Sequence, residues 1–275
     1  MAGGPRHPAR LRPVTEPDLR LEKVPNLRDL GGWPAGDGRR VARGRIFRSG
    51  SLHEMTDADR RALEGAGIRT VVDLRSTWEQ GHQPYEWPFG RRVTAPLAHD
   101  DSVVFIWGSF LEGTLTEAEM ADWWTTTGVF DAPAHYPESV RTVFTALLEA
   151  APGEAVLFHC TGGKDRTGAV AALLLAALGA TPEAVTADFL AGNDYLTSPE
   201  RLEEVAARLN RDREQPLSPE AVFALSGVKA EWLQEMFARL TARYGSVETY
   251  LHHALGLTEE ELADLRARYL EPAED

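Results

Sequence analysis

The pattern of apolar and polar positions changes character near residue 179: before it, strand-like and helix-like segments alternate, and after it the apolar positions keep helical spacing only. Residues 41–49 and 68–74 read as strands, and 91–97 as another beyond a turn rich in Pro, Gly and Trp at 81–90. Thr56-Asp57-Ala58-Asp59 caps a helix that runs to about residue 64, where Gly65 and Gly67 end it. A helix at 138–150 feeds the short apolar run Ala155-Val156-Leu157-Phe158, and the Ala/Leu run at 169–178 is long enough for three helical turns. Thr181-Pro182-Glu183, Ser198-Pro199-Glu200 and Ser218-Pro219-Glu220 each set an N-cap before a proline at the first helical position. The stretch 98–137, with tryptophans at 107, 123 and 124, is expected to hold short amphipathic helices. Together these elements predict an α/β fold with a central, mostly parallel sheet flanked by helices and a helical C-terminal part.

Length and composition bound this picture. A chain of 275 residues with 43% hydrophobic content can bury one sizeable core. Residues 1–20 contain Pro, Gly and Arg but no apolar stretch of the kind a secretory signal needs, so a flexible N-terminal segment and a single domain at 21–275 are expected. Nothing reaches 18 consecutive apolar residues, so membrane insertion is not expected and residence in the cytoplasm is. A net charge of −13 argues against nucleic acid or anionic membrane as partner, and any anion site must be a local focus of positive potential. One cysteine excludes an intrachain disulfide and a cysteine-based zinc site. The eight histidines show no metal-ligand spacing, and the adjacent His252 and His253 cannot share a helix face, so neither metal nor cofactor is expected.

That lone cysteine lies in His159-Cys160-Thr161-Gly162-Gly163-Lys164-Asp165-Arg166-Thr167-Gly168, between the apolar run and the Ala/Leu helix. Gly162 and Gly163 permit backbone angles closed to other residues, so the N–H groups of Thr161, Gly162 and Gly163 can converge on an anion. The positive end of the following helix adds to the attraction and favours the thiolate. Five residues separate Cys160 from Arg166, a spacing that returns the guanidinium over an anion held above the sulfur. Its planar fork suits two phosphoryl oxygens. Thr167 is placed to hydrogen-bond the thiolate, and Lys164 to add a charge at the pocket rim. His159 is expected to orient the loop.

The segment resembles the Cys-x5-Arg loop of protein tyrosine phosphatases, and Lys164-Asp165-Arg166-Thr167-Gly168 is similar to the loop of the bacterial tyrosine-protein phosphatase family, which includes members active on phosphoserine/threonine and phosphoinositides. Asn26-Leu27-Arg28-Asp29-Leu30-Gly31-Gly32, Arg45-Ile46-Phe47-Arg48-Ser49-Gly50 and Val71-Val72-Asp73-Leu74-Arg75-Ser76 are similar to further blocks in family order, as are Tyr244-Gly245-Ser246, Tyr250-Leu251 and Gly256-Leu257-Thr258. The resemblance implies a metal-independent phosphomonoester hydrolase acting through a cysteinyl-phosphate on Cys160, with Arg166 as clamp, a phosphorylated protein or phosphoinositide as substrate and inorganic phosphate as product. It also implies that Asp165 is the general acid; Asp100, Asp101, Asp122 and Asp131 are the other aspartates in reach of that part. Asp73, at the C-terminal end of a strand, is expected near substrate. Lys164 is expected to help bind multiply phosphorylated lipids.

Two other function classes are compatible with a loop cysteine on an α/β sandwich: a rhodanese-like sulfurtransferase and a catalytically silent phosphoresidue-binding module. A sulfurtransferase has no need for the Asp165-Arg166-Thr167 combination, and the intact Cys160 and Arg166 disfavour a silent module. Leu202, Val205, Leu209, Val222, Phe223 and Leu225, within a charge-rich segment, predict two short helices at 194–226 that cover the catalytic side as a lid.

Overall fold

The computed structural model describes residues 19, 21–98, 109, 116, 119, 132–211, 213 and 215–273. Strands β1 (Arg28–Asp29), β2 (Pro34–Ala35), β3 (Arg39–Val41) and β4 (Ile46–Ser49) precede helix α1 (Asp57–Gly65). Then come β5 (Ile68–Asp73), α2 (Thr77–His82), β6 (Arg91–Thr94), α3 (Ala132–His135), α4 (Pro137–Glu149) and β7 (Ala155–His159). The C-terminal part holds α5 (Asp165–Leu178), α6 (Pro182–Ala191), α7 (Asn193–Leu196), α8 (Pro199–Leu209), α9 (Pro219–Ser226) and α10 (Ala230–Tyr244). A π-helical turn at Tyr250–Ala254, helix α11 (Glu259–Tyr269) and strand β8 (Leu270–Pro272) complete it.

The main sheet runs β1-β4-β7-β5-β6, parallel except for the β1–β4 edge. Its central strands alternate between two apolar layers. Ile46, Val72, Val156 and Phe158 face the larger one, while Phe47, Val71 and Leu157 face a smaller cluster completed by Leu52, Leu63 and Trp87. Burial on both faces explains why these strands read as short apolar runs rather than as clean alternation. In α5 every residue except Ala176 is buried, and Gly168 sits so close to Phe189 that an added Cβ would lie 2.8 Å from its ring. The Ala/Leu composition therefore suits a central helix wrapped on all sides.

The expected single strand at 41–49 is in fact two strands in different sheets. Gly44 turns the chain between them at φ +68, with its N–H on Asp29 Oδ2 at 2.7 Å. The first piece, β3, pairs with β2 and with β8, a C-terminal strand where the pattern predicted helix alone. The expected helix starts at Pro182, Pro199 and Pro219 stand, each with its Ser or Thr side chain accepting from the backbone three residues on. Helices α8 and α9 do form within 194–226, and Val205, Leu209, Leu217 and Val222 join the main core. Trp107, Trp123 and Trp124 lie outside the described residues.

Candidate active site

Residues 160–164 connect the C-terminal end of β7 to the N-terminus of α5, where Lys164 sits at the cap position without capping through its side chain. Gly163 adopts φ +65, and a Cβ there would lie 2.4 Å from the backbone N of Gly50, so only glycine fits. Thr161 and Gly162 are the exposed lip of the loop, while Cys160, Lys164, Asp165 and Arg166 are buried.

The loop is braced from the N-terminal blocks. Asn26 Nδ2 donates to Gly163 O at 2.9 Å, and Arg48 Nη2 donates to Gly163 O at 3.0 Å and Lys164 O at 3.3 Å. Ser51 N reaches Thr161 O at 2.9 Å. Arg48 is in turn paired with buried Asp188 of α6 at 2.6 Å, and Arg28 joins Asp188 at 3.4 Å and Asn26 Oδ1 at 2.7 Å. Burial and the neighbouring Arg48 charge pull the Arg28 guanidinium down to about 10, still protonated at neutral pH. Carbonyls tied to fixed donors keep the loop amides turned the other way, which is the preorganisation an anion site needs.

Behind Cys160, His159 is completely buried, and burial lowers its pKa against the pull of Asp73, so the ring is neutral. Its Nδ1 lies 3.0 Å from Cys160 O and must donate, which leaves Nε2 to accept from Tyr85 Oη at 2.6 Å. Asp73, expected near substrate, is instead fully buried, with Oδ2 accepting from Arg75 and Arg92 at 2.8 Å each and Oδ1 from Arg75 at 3.0 Å. Burial opposes its charge, but His159, protonated by the time the pH is low enough to titrate this carboxyl, and Arg75 outweigh it and hold the carboxyl well below the usual range. This placement corrects the expectation: Asp73 braces the strand end, and its oxygens are already engaged.

Arg166 is held by Glu79 of α2, Nη1 to Oε2 at 2.7 Å and Nη2 to Oε1 at 2.8 Å. Thr161 Oγ1 donates to the same Oε1, and Arg166 Nη2 comes within 3.5 Å of Thr161 Oγ1. Burial works against the Glu79 charge, but Arg166 reverses this and brings the carboxyl down to about 2. Lys164, expected at the rim with its charge toward substrate, is buried. Its Nζ donates to Leu225 O at 2.8 Å, Gly227 O at 3.1 Å and Ala224 O at 3.4 Å, the C-terminal carbonyls of α9, and lies 3.7 Å from Asp165 Oδ2. Thr167 Oγ1, expected on the thiolate, is buried without a hydrogen-bond partner among the described residues. Asp165, the first residue of α5, thus shares one buried cluster with Lys164 and Arg166. Asp100, Asp101, Asp122 and Asp131 lie outside the described residues.

The loop and its arginine were visible in the sequence, and Asn26, Arg28 and Arg48 stood out only as members of the N-terminal blocks; that they brace the loop was not legible, and Glu79, Tyr85 and Asp188 were missed. Glu79 did carry a signal, since Ser76-Thr77-Trp78-Glu79 has capping-box spacing. Asp188 in a helix interior carried none. Elsewhere, Glu248, His252 and Glu259 bring potential ligand atoms within 4.8 Å of one another, and both carboxylates are exposed.

Comparison with known proteins agrees with this geometry. A model described as the tyrosine phosphatase family matches residues 19–271. A protein of Cupriavidus necator provisionally named a tyrosine-protein phosphatase is 34% identical over 270 residues, covering 97% of this chain and 93% of its own. The triple specificity protein phosphatase PtpB of Mycobacterium tuberculosis is 30% identical over 239 residues, 77% of this chain and 86% of that one. A tyrosine-protein phosphatase of Nostoc commune is 27% identical, over 81% of this chain and 73% of its own. No described helix is long and apolar enough to cross a membrane.

Proposed function

This chain belongs to the tyrosine phosphatase family, and from that premise we propose that Cys160, Arg166 and Asp165 carry out hydrolysis of phosphotyrosine. The observation that supports the reading most is the loop itself: a buried cysteine directly after a central strand, a helix N-terminus a few residues on and a buried guanidinium held by Glu79. The Cys160 sulfur attacks phosphorus and the ester oxygen leaves with the bonding pair, taking a proton from Asp165. The loop amides and Arg166 stabilise the three equatorial oxygens during both transfers. Water then attacks the phosphocysteine, returns its proton to Asp165 and releases inorganic phosphate with the thiolate restored.

The relative named for triple specificity supports a wider reading in which phosphoserine/threonine or phosphoinositides are also accepted. Lys164 does not add to that support, because its ammonium is engaged by the carbonyls of α9. Residence in the cytoplasm belongs to the same proposal: a lone cysteine nucleophile, with no second cysteine to resolve an oxidised sulfur, is best served by a reducing compartment. We read residues 21–275 as one phosphatase domain, with 194–226 as cover over the catalytic side.

Cys160→Ser should abolish turnover of a phosphotyrosine peptide while leaving phosphate and vanadate binding intact, and chelators should not affect the wild-type rate. Robust hydrolysis by the serine variant, or a chelator-sensitive rate restored by metal, would sink the cysteinyl-phosphate reading.

A further inference from the structure

The sheet edge that carries the catalytic loop holds a second concavity. A cavity of about 440 Å³ opens between Thr77, the first residue of α2, Thr94 at the end of β6, and the first turns of α4, where Glu138, Ser139 and Thr142 line it. That volume lies in the range of small-ligand sites. Strand register fixes its place: Thr94 stands level with Asp73 in β5, and Asp73 level with His159 in β7. Two strand spacings of roughly 4.8 Å, about 10 Å in all, therefore separate Thr94 from the residue before the nucleophile. Both lie where strand C-termini of an α/β sheet meet ligands. An extended peptide covers such a distance in about three residues.

The lining decides what the cavity takes. Ser139 Oγ donates to Pro96 O at 2.6 Å and Thr142 Oγ1 to Glu138 O at 2.9 Å, so both hydroxyl protons are spent and the oxygens are left as acceptors. Glu138 is the charged side chain among the described lining residues, and its exposed carboxylate has no hydrogen bond or ion pair with a described residue. Arg92 of β6 and Arg141 of α4 are already paired with Asp73 and Glu261. An anion finds little here: Pro137 has no N–H, and those of Ser139 and Val140 both go to Tyr136 O, at 3.1 and 3.3 Å. A matching ligand must bring donors and positive charge, as a guanidinium does with five N–H groups in a planar fork.

We propose that this cavity is a specificity subsite that takes an arginine side chain of a peptide substrate, within about three positions of the phosphorylated tyrosine, with Glu138 as its counter-charge. The inference rests on the reading of the chain as a phosphotyrosine hydrolase and deepens it, from a phosphorylated residue to a basic phosphopeptide.

The test is a series of phosphotyrosine peptides in an alanine-rich frame, each with a single arginine placed up to about four positions to either side of the phosphotyrosine. Assay in about 0.15 M salt screens the bulk charge of −13. Arginine at one or two of these positions should raise kcat/KM about tenfold over the alanine peptide, the scale of one hydrogen-bonded charge pair. Glu138→Gln should remove most of that preference, and Glu138→Lys should turn it into a preference for glutamate at the same position. Glu231→Gln, an equal change of charge on an exposed residue of α10, should leave the preference intact. Thr94→Arg, which brings a guanidinium of the chain's own to the cavity from β6, should cancel it, and decides the matter if the Glu138 variants fail to fold. Rates within about twofold across the series, or a preference that survives Glu138→Gln or Thr94→Arg, would overturn the subsite. Its loss in Glu231→Gln would overturn it in favour of bulk charge, and a wild-type preference for glutamate in favour of an anion site. No hydrolysis of any peptide in the series would instead defeat the phosphotyrosine reading, and the subsite with it.

Discussion

At the scale of single residues, Asp165 is where reaction and surroundings meet. It is buried in the first turn of α5 beside Lys164 and Arg166, on the loop that holds the nucleophile. Protonation of the leaving oxygen matters in proportion to its basicity, and tyrosine phenolate, with an ordinary pKa of about 10, needs it while an acidic fluorogenic phenol does not. Asp165→Asn should therefore reduce kcat on phosphotyrosine by roughly 10²- to 10⁴-fold and on the activated ester distinctly less. Equal losses on the two substrates, measured side by side, would reduce Asp165 to a loop brace and move the acid to another aspartate. Residue by residue, the sequence disclosed best those positions whose chemistry is local. Gly163 and the Cys160–Arg166 spacing are properties of one turn. By contrast, Asp73 and Lys164 were misplaced because a charge near an anion loop reads as substrate-facing, whereas their partners, Arg75 and Arg92 or the α9 carbonyls, come from other elements.

At the scale of elements, the catalytic loop and α9 are joined through one side chain. Lys164 Nζ meets the last carbonyls of α9, the negative end of the helix, and nearby Asn193 clasps Val228 through both its N–H and its carbonyl at 2.9 Å each. Burial lowers the Lys164 pKa, with Asp165 and Cys160 pulling the other way. Lys164→Ala should loosen α8 and α9 before anything else: amide exchange across 199–228 should rise roughly tenfold, on the scale of a lost cap, while α5 keeps its protection. Unchanged exchange there would mean that the three carbonyl contacts contribute nothing. The helices were legible because prolines and caps mark their starts in one dimension, and β7 and most of α5 because the apolar runs at 155–158 and 169–178 are unbroken. Helix α2 was not: six residues with Trp, Gly and Gln give too short a periodicity, and only its cap betrays it. Strand β8 escaped notice for a different reason, since three residues after a long helix become a strand only when β3 lies alongside.

For the whole molecule, buried ionisable groups set how stability depends on pH. Glu79 has a folded pKa of about 2 against an ordinary 4.5, so its contribution is complete above about pH 4.5 and is lost as pH falls through 2, of order 3 kcal/mol in all. His159 is also depressed, from 6.5; the unfolded chain takes up its proton first, and stability starts to fall already below about pH 6.5. Urea unfolding between pH 3 and 8 should thus show a shallow decline from near neutrality and a steeper one below 4.5, with the steeper limb diminished in Glu79→Gln. A flat profile down to pH 4 would contradict the neutral, buried His159. The small sheet has a consequence on another axis, that of synthesis. Arg40 of β3 meets Glu271 of β8 across a separation of 231 residues, which a ribosome working at about 5–20 residues per second needs roughly 10 to 50 s to traverse. Throughout that interval the outer edge of β3 has no native strand to take its hydrogen bonds, and it carries two adjacent arginines, Arg39 and Arg40, whose charges discourage pairing with a neighbouring nascent chain.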